Sequence, residues 1–529
     1  MNPAASSAAL AVREVLRNRA IRRIEIAWTA GTAADWAFLV VLLVVAYDEG
    51  GTLAVGILGA VRVIPAIVAA PFASTLVERF RGDRVLTAIN VLRCGGAVAT
   101  AAVIGLGLPI EATYVLAGIV AGAGSLVRPI QNALLPALAR TPGELIAANV
   151  ASSVGEGLGT FAGPLLAGIL VASTGSFEAS VLIAAVFAGA AAAVTGVRFE
   201  GEVDARGGAS ASGGTRVRIA DAPAVLRRYP AATLVMSDFV AQVFVRGIFI
   251  ALTVAISIEL LDLGDGGVGL LNSAVGLGGF VGALGALGLA GGARLGAVFV
   301  VALAAWGLPL VLIGAWPVAA IALVALFVTG VSNAILDVSG FTLIQRGVGN
   351  EDRVTMFAIM EALFGVGLLA GSLTAPALDA LIGPRGALVV AGAILPLCAL
   401  ASWQVIGRGV GTSAEAEAHL ALLRRNTLFA PLPLTALDRL AEGMSPCSFE
   451  AGEIVMRKGE PGEHYLLIAD GEIDVSDDDR PLATLGPGDG VGEIALLRRV
   501  PRTATATART RVDAYAIDAP AFLAAVAGP

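Results

Sequence analysis

The sequence predicts a multi-domain protein: an all-α, twelve-helix membrane region of two six-helix halves, then a small soluble antiparallel β-barrel domain with flanking helices. Three observations support this prediction. The 529 residues are 57% hydrophobic with a mean hydropathy of +0.83, which is too apolar for a soluble enzyme. Apolar runs of about 20 residues, enough to cross a bilayer, recur up to residue 406. Beyond it, short strand-like runs alternate with glycine turns.

The chain divides into five predicted segments. These are the first half (1–198), a middle loop (199–230), the second half (231–406), a linker helix (407–425) and the barrel domain (426–529). The membrane spans, numbered 1 to 12, are predicted at 24–47, 53–75, 85–107, 112–138, 146–172, 177–197, 231–258, 266–291, 295–314, 317–344, 354–381 and 386–406. The middle loop contains RGGASASGGTR, and its glycine and serine content predicts a flexible segment.

Arginine is distributed unevenly over the loops. With the N-terminus inside, eighteen arginines fall on the inside and Arg385 alone on the outside. This positive-inside bias predicts an integral protein of the plasma or inner cell membrane with both termini in the cytoplasm. The formal net charge of −7 and the absence of a strongly basic region predict no nucleic-acid partner.

The loop after span 2 reads PFASTLVERFRGDRVL, an acid followed by arginines around a glycine. In this loop and in its twelve spans the chain resembles the major facilitator superfamily. Glu78 stands where an aspartate is usual, and Arg79, Gly82 and Arg84 keep the basic pattern. The resemblance implies a latch that stabilises one conformation. The counterpart between spans 8 and 9, LAGGARLG, has lost the acid.

Span 5 carries GLGTFAGPLLAGIL, which resembles the antiporter motif of that superfamily. Its residues are Gly159, Gly163, Pro164 and Gly168. Small residues let helices approach closely, and the proline permits a bend. The resemblance implies export-type transport, and helix packing alone is the alternative. The second half also places an Arg and an acid after span 10, as the first does after span 4, and such repeats are a transporter device with a midplane substrate site.

Ionisable groups at membrane depth are costly, about 2.5 to 3.5 kcal/mol each, and are functional candidates by default. One interpretation is that the acids carry a proton or meet a cationic substrate. The other is that they form structural ion pairs with Arg62, Arg93, Arg128 and Arg246. The transport and coupling candidates are Asp35, Arg128, Asp238, Asp337 and Glu361. Aromatic residues are only 5%, so a large stacked drug pocket is not predicted.

Residues 426–529 resemble a cyclic nucleotide-binding domain. The stretch GVGEIALL matches the phosphate-binding cassette of that family, and PRTAT follows at the family interval. The resemblance assigns a site to Gly492, Glu493, Ile494, Ala495, Arg502 and Thr503. The chemistry agrees, because an arginine binds phosphate through two parallel bonds and a helix start presents free N–H groups. Family knowledge places Glu493 on the ribose hydroxyl.

The identity of the base remains open between cAMP and cGMP, because Thr503 occurs where either nucleotide is bound. The chain ends in APAFLAAVAGP after one short helix, so the family's long lid helix is expected to be missing or supplied by another part of the protein. A degenerate barrel that only stabilises or dimerises is the alternative to nucleotide binding.

No metal is predicted, because three separated cysteines and two distant histidines form no ligand spacing. No catalytic triad or phosphate loop indicates an enzyme. Together the features predict a secondary transporter, of the exporter or proton-antiporter kind, whose small solute the sequence does not identify and which cyclic nucleotide modulates. The alternative is a membrane-anchored receptor that signals to a partner and transports nothing. Oligomeric state is open.

Overall fold

A computed structural model describes residues 18–69, 76, 79–139, 141–197, 222–286, 295–407, 414–432, 436–437, 440–441, 443–477 and 480–526. The chain forms two compact units, Met1–Gly411 and Thr412–Pro529. The first is helical and the second is built around antiparallel strands. The predicted fold class is therefore confirmed.

Ten helices in the described part of the chain are long and apolar enough to cross a membrane. Spans 1 and 2 form Arg19–Ala69, and spans 11 and 12 form Asn350–Ser402. The other helices are Gly82–Gly105, Ile110–Ser125 with Val127–Leu138, Pro142–Thr174, Ser176–Val194, Pro230–Ala255, Gly264–Ala286, Leu295–Ala315 and Ala319–Gly347. π-Helical turns at Ile256–Leu260 and Trp403–Gly407 extend spans 7 and 12.

The two longest helices each hold two spans. Their apolar stretches have 47 and 55 residues, and about 70 to 80 Å of helix is more than twice the hydrocarbon thickness. Each bends at glycine in the left-handed region, at Gly51 with φ 58° and at Gly383 with φ 71°. Other residue types adopt this conformation at a cost, so the glycines set the reversals. Ten helices thus contain the twelve predicted spans.

Two local features differ from the sequence expectation. Span 4 is interrupted at Leu126, since Pro129 has no N–H to bond the carbonyl of Ser125. Part of the middle loop is helical, since Ala222–Arg228 forms a short helix. Arg228 Nη1 at its end donates a hydrogen bond to Asp352 at 2.6 Å. The glycine- and serine-rich stretch itself lies outside the described residues.

Glycine contacts join the helices of unit 1 in a repeated pattern. In the first half, a Cβ on Gly163 of span 5 would lie 2.9 Å from the carbonyl carbon of Ala33 in span 1. In the second half, a Cβ on Gly371 of span 11 would lie 2.9 Å from that of Phe244 in span 7. The same helix pair therefore packs backbone to backbone in both halves, as expected for a structural repeat.

Unit 2 contains a barrel of two four-stranded antiparallel sheets. Their strands are β1 Ser445–Phe449, β2 Ile454–Met456, β3 His464–Asp470, β4 Ile473–Asp477, β5 Arg480–Leu485, β6 Gly490–Val491, β7 Thr505–Ala508 and β8 Val512–Asp518. The strand orders are β1-β8-β3-β6 and β2-β7-β4-β5. Ile468, Ile473 and Val512 are fully buried between the sheets. The buried residues of β3 belong to two clusters, because Leu466 and Ile468 pack between the sheets whereas Tyr465 and Leu467 pack with the flanking helices.

Helices flank this barrel on one side. The linker helix Ala414–Arg425 and the helix Ala519–Val526 contribute to one apolar cluster with β3. Phe522 stacks on Tyr465 with ring centroids 4.8 Å apart, and Phe429 packs edge-on against both rings. These aromatic contacts hold the described part of the last helix in the core of the unit.

Candidate functional sites

The cassette of unit 2 begins at a glycine that no other residue can replace without strain. Gly492 has φ 106° and precedes the helix Glu493–Arg498. A Cβ on Gly492 would lie 3.2 Å from the carbonyl oxygen of His464 and would overlap the guanidinium of Arg502. The tight turn thus brings its backbone directly onto the arginine.

Arg502 is the best-buried cation of the cassette region, with 7% of its surface exposed. Its Nη1 donates to the Gly492 carbonyl at 3.0 Å, and its Nη2 donates to the His464 carbonyl at 2.6 Å. Burial lowers the pKa of Arg502, and the nearby acids Glu493 and Glu460 oppose that shift. Of its five N–H donors, the described residues engage two.

The other predicted site residues surround this arginine with different exposure. Glu493 and Gly492 are half-buried, Ala495 is buried, and Ile494 and Thr503 are exposed. Ala495 packs under the turn at Gly462, where an added Cβ would approach to 2.9 Å. The structure therefore brings the Arg502 guanidinium and the Glu493 carboxylate within electrostatic range of each other at the start of the cassette helix.

Asn426 at the end of the linker helix was not singled out from the sequence. It is 3% exposed, and its Nδ2 donates at 3.0 Å to both the Tyr465 hydroxyl and the Gly488 carbonyl. Burial raises the pKa of Tyr465. Since Leu496 of the cassette helix belongs to the same apolar cluster, the linker helix is tied to the cassette by polar and apolar contacts.

In unit 1 most of the candidate charges are paired. Arg93 is 2% exposed and forms an ion pair with Asp35, and its Nη2 also donates to the Gly31 carbonyl at 3.0 Å. Arg128 holds both carboxylate oxygens of Glu156 at 2.5 and 2.6 Å. These geometries agree with the ion-pair interpretation of Asp35 and Arg128.

Asp337 belongs to a polar chain in the second half. It accepts a hydrogen bond from the Asn333 amide at 2.9 Å, and Asn333 in turn accepts from Trp306 Nε1 at 3.2 Å and Gln242 Nε2 at 3.3 Å. Arg246 lies within electrostatic range of Asp337. This carboxylate is therefore supported by both an amide and a cation.

Two candidate acids have no cationic partner among the residues that the structure describes. Asp238 is 4% exposed and accepts a hydrogen bond from Ser402, while its Oδ2 has no partner there. Glu361 is exposed, eleven residues before Ser372. Eleven residues are about three helical turns, so Glu361 shares the helix face on which Ser372 meets Gly59 of span 2.

Glu25 was missed by the sequence argument. It lies inside predicted span 24–47, but its position directly after an arginine cluster resembles a membrane flank. The structure buries it to 6% exposure, with Oε1 accepting from Ser152 at 2.7 Å and from Gln131 at 3.2 Å. The sequence signal that could have identified Glu25 was an ionisable residue within a predicted span.

The motif of span 5 has two contact faces. A Cβ on Gly159 would lie 2.9 Å from the Thr32 Cβ, so this face, like Gly163, meets span 1. Gly168 faces the other half, where an added Cβ would lie 2.5 Å from the Gly266 carbonyl oxygen. Pro164 lies between the two faces, and its carbonyl contacts span 8 at Gly269.

The loop motif is only partly described. Glu78 lies outside the described residues, while Arg79 and Arg84 are exposed and Gly82 is buried. A Cβ on Gly82 would overlap Leu134 Cδ2 and lie 2.9 Å from its Cδ1, so this glycine has a packing role. The acid that contacts an arginine here is Asp83, whose Oδ1 lies 3.2 Å from Arg81 Nε.

The predicted outer ends of the spans are bonded across the two halves. Tyr47 of span 1 donates to Glu259 of span 7, and Thr52 of span 2 donates to Asp379 of span 11 at 2.6 Å. These bonds close the halves together at that side of the unit. No cluster of three or more His, Cys, Asp or Glu that could hold a metal occurs among the described residues.

Comparison with known proteins supports the two-part architecture. The model of the Major Facilitator Superfamily matches residues 28–345, more than half of the chain, and that of the cyclic nucleotide-binding domain matches 446–528. The regulatory subunit of cAMP-dependent protein kinase from Schizosaccharomyces pombe is 33% identical over 102 residues. That match covers 19% of this chain and 25% of the relative, so the chain spans a quarter of that protein.

Solved structures match the same region. The regulatory domain of Toxoplasma gondii PKA with cAMP is 30% identical over 22% of this chain and 46% of its own, with a TM-score of 0.21. A cAMP-bound mutant regulatory subunit of a cAMP-independent protein kinase A from Trypanosoma brucei is 28% identical over 22% and 44%, with a TM-score of 0.22.

Proposed function

Because this chain belongs to the major facilitator superfamily and also carries a cyclic nucleotide-binding domain, we propose that it is a secondary active transporter regulated by cyclic nucleotide. The proposed transport is export of a small solute in exchange for protons across the plasma or inner cell membrane, with both termini in the cytoplasm. We also propose the domain limits given by the sequence, with a linker at 407–425 and a nucleotide-binding domain at 426–529.

The observation that carries the regulatory part is the burial of Arg502. Two main-chain carbonyls hold the guanidinium beside the cassette helix, so its position is set before any ligand binds. A cyclic phosphate would take the remaining donors in charge-assisted bonds. Glu493 would accept the ribose hydroxyl, the backbone of 492–495 would line the phosphate, and the exposed Thr503 would contact phosphate or base.

The packing of span 5 supports the transport part. Its glycines contact span 1 within the half and span 8 across the halves, so this helix forms part of the interface that changes when the halves move. Glu361 lies on the face directed at the other half and is exposed. We assign it to the wall of the transport cleft, where a carboxylate favours a cationic group of the solute.

Regulation needs a difference in nucleotide affinity between two conformations. A full swing of the balance from 1:99 to 99:1 requires about 5.5 kcal/mol. The cassette is tied to the linker helix through Asn426 and the surrounding apolar cluster. We expect nucleotide to change the free-energy difference between the two conformations by only part of this amount. Nucleotide then modulates transport rather than switching it completely.

The test is calorimetric titration of detergent-purified protein with cAMP and with cGMP, using Arg502→Ala against the exposed control Arg498→Ala. Binding by wild type and by the control, but not by Arg502→Ala, supports the assignment. Equal binding by all three proteins would refute the role of Arg502.

The transport part needs its own readout. Thermal shifts of purified protein against a panel of small cationic and neutral solutes are expected to stabilise unit 1 with a compound that is transported. A protein that binds nucleotide but neither binds nor moves any solute in vesicles would instead be a membrane-anchored receptor.

A further inference from the structure

Two buried acids occupy matching places in the two halves of unit 1. Glu25 lies six residues after the start of the span 1 helix, and Asp238 lies eight residues after the start of the span 7 helix. These spans are the first helices of their halves, so both acids lie about 9 to 12 Å along the axis from the same kind of helix end. Each half of the fold thus carries a carboxyl group at a similar position in its first helix.

Their surroundings also match. Glu25 is 6% exposed and Asp238 is 4% exposed. Each accepts a hydrogen bond from a serine of another span, Ser152 for Glu25 and Ser402 for Asp238. In each, the second carboxylate oxygen, Oε2 or Oδ2, is buried without a hydrogen-bond partner among the described residues.

The ion pairs that join described residues of unit 1 include neither Glu25 nor Asp238. On the helices around Glu25, Arg128 and Glu156 bond each other, and Arg23 donates to main-chain carbonyls of span 6. The Cys398 thiol of span 12 lies within electrostatic range of Asp238. Arg246 and Asp337 interact with each other, and Arg22 lies one turn from Glu25 on its own helix.

Asp35 provides an internal contrast. It lies on the same helix as Glu25 and has a buried arginine, Arg93, as its partner. An ionised carboxylate buried without such a cation is strongly unfavourable, whereas a neutral carboxyl leaves at most one O–H group unpaired, which costs much less. The groups that surround Glu25 and Asp238 therefore favour the protonated, neutral carboxyl.

We propose that Glu25 and Asp238 are a matched pair of proton-binding sites, one in each half, which are protonated when the outer ends of the halves are bonded together. Loosening of the helices around them admits water and releases the protons. The role in the transport cycle rests on the function proposed above, while the protonation itself does not.

Infrared spectroscopy of the purified full chain tests the protonation without substrate or nucleotide. A protonated carboxyl has a carbonyl band that a carboxylate lacks. We expect Glu25→Gln and Asp238→Asn each to remove one component of this band at neutral pH, and the exposed control Glu111→Gln to remove none. An unchanged band in both variants would overturn the proposal.

The coupling is tested separately by spin labels at Glu49 and Asp262, exposed residues at the outer ends of spans 1 and 7, after replacement of the three native cysteines. We expect the distance between labels to respond to pH in the parent protein and not in the Glu25→Gln/Asp238→Asn variant. A pH-dependent distance that persists in that variant would show that the pair plays no part in the transport cycle. If the infrared band is lost but the distance still responds to pH, Glu25 and Asp238 bind protons without being coupled to the movement.

Discussion

Replacement of Gly168 by alanine tests the contact between spans 5 and 8. The added Cβ would lie 2.5 Å from the Gly266 carbonyl oxygen and 3.0 Å from the Gly269 Cα. Both neighbours are backbone atoms, so relief requires the two helices to separate by about 1 Å to regain ordinary contact distances. Overpacking of this kind costs about 1 to 3 kcal/mol.

Gly189 in span 6 is the matched control, because a Cβ there would meet nothing within 4 Å. Alanine is favoured over glycine in a helix by up to about 1 kcal/mol, so Gly189→Ala should leave stability unchanged or raise it. Gly168→Ala is therefore expected to lower stability and Gly189→Ala is not, although the chemical change is the same.

Tryptophan fluorescence during heating is the assay. All five tryptophans, Trp28, Trp36, Trp306, Trp316 and Trp403, belong to unit 1, so the signal reports that unit. We expect Gly168→Ala to lower the apparent midpoint by several degrees at a fixed scan rate, at about 2 to 4 °C per kcal/mol. Equal midpoints for Gly168→Ala and Gly189→Ala would refute the packing argument.

Three further predictions concern single sites. Gly492→Ala should abolish nucleotide binding in calorimetry because of its positive φ and its overlap with the buried arginine, while Gly486→Ala, which meets nothing within 4 Å, should retain it. Asn426→Ala leaves a buried hydroxyl and a buried carbonyl without their donor, so hydrogen exchange should show that β3 loses about 1 to 3 kcal/mol of protection; wild-type protection would contradict this. Arg93→Ala should destabilise unit 1 by about 3 kcal/mol, the low end for a broken buried pair because Asp35 is 37% exposed, and the double variant Asp35→Ala/Arg93→Ala should recover part of the loss; additive losses would show that the pair is not coupled.

Much of the architecture follows from patterns that are local in the chain. The length of each apolar run predicts a span because backbone groups in hydrocarbon must bond within the helix. Gly51 and Gly383 fall between such runs, where a reversal is needed, and the strands of unit 2 follow from short apolar runs between turns. The cassette could be recognised because GVGEIALL and PRTAT keep a fixed spacing in the chain.

The partners of the charged groups could not be obtained in this way. The ion pair of Asp35 with Arg93 joins residues 58 positions apart, and Ser152 bonds Glu25 over 127 positions. A pattern of spans places every such group at some depth, but many pairings are compatible with that depth. Sequence therefore supplied the list of candidate acids without Glu25 and without separating paired from unpaired members.

By itself the sequence determined a twelve-span membrane region followed by a strand-rich domain with a phosphate-type cassette, because span length, turn chemistry and motif spacing act between near neighbours. Tertiary structure alone decided that Arg502 is held by two carbonyls, that Gly168 faces the opposite half, and that Glu25 and Asp238 each bury one carboxylate oxygen without a hydrogen-bond partner among the described residues. The reason is physical: the free energy of a buried charge depends on the atoms that surround it, and those come from helices far apart in the chain.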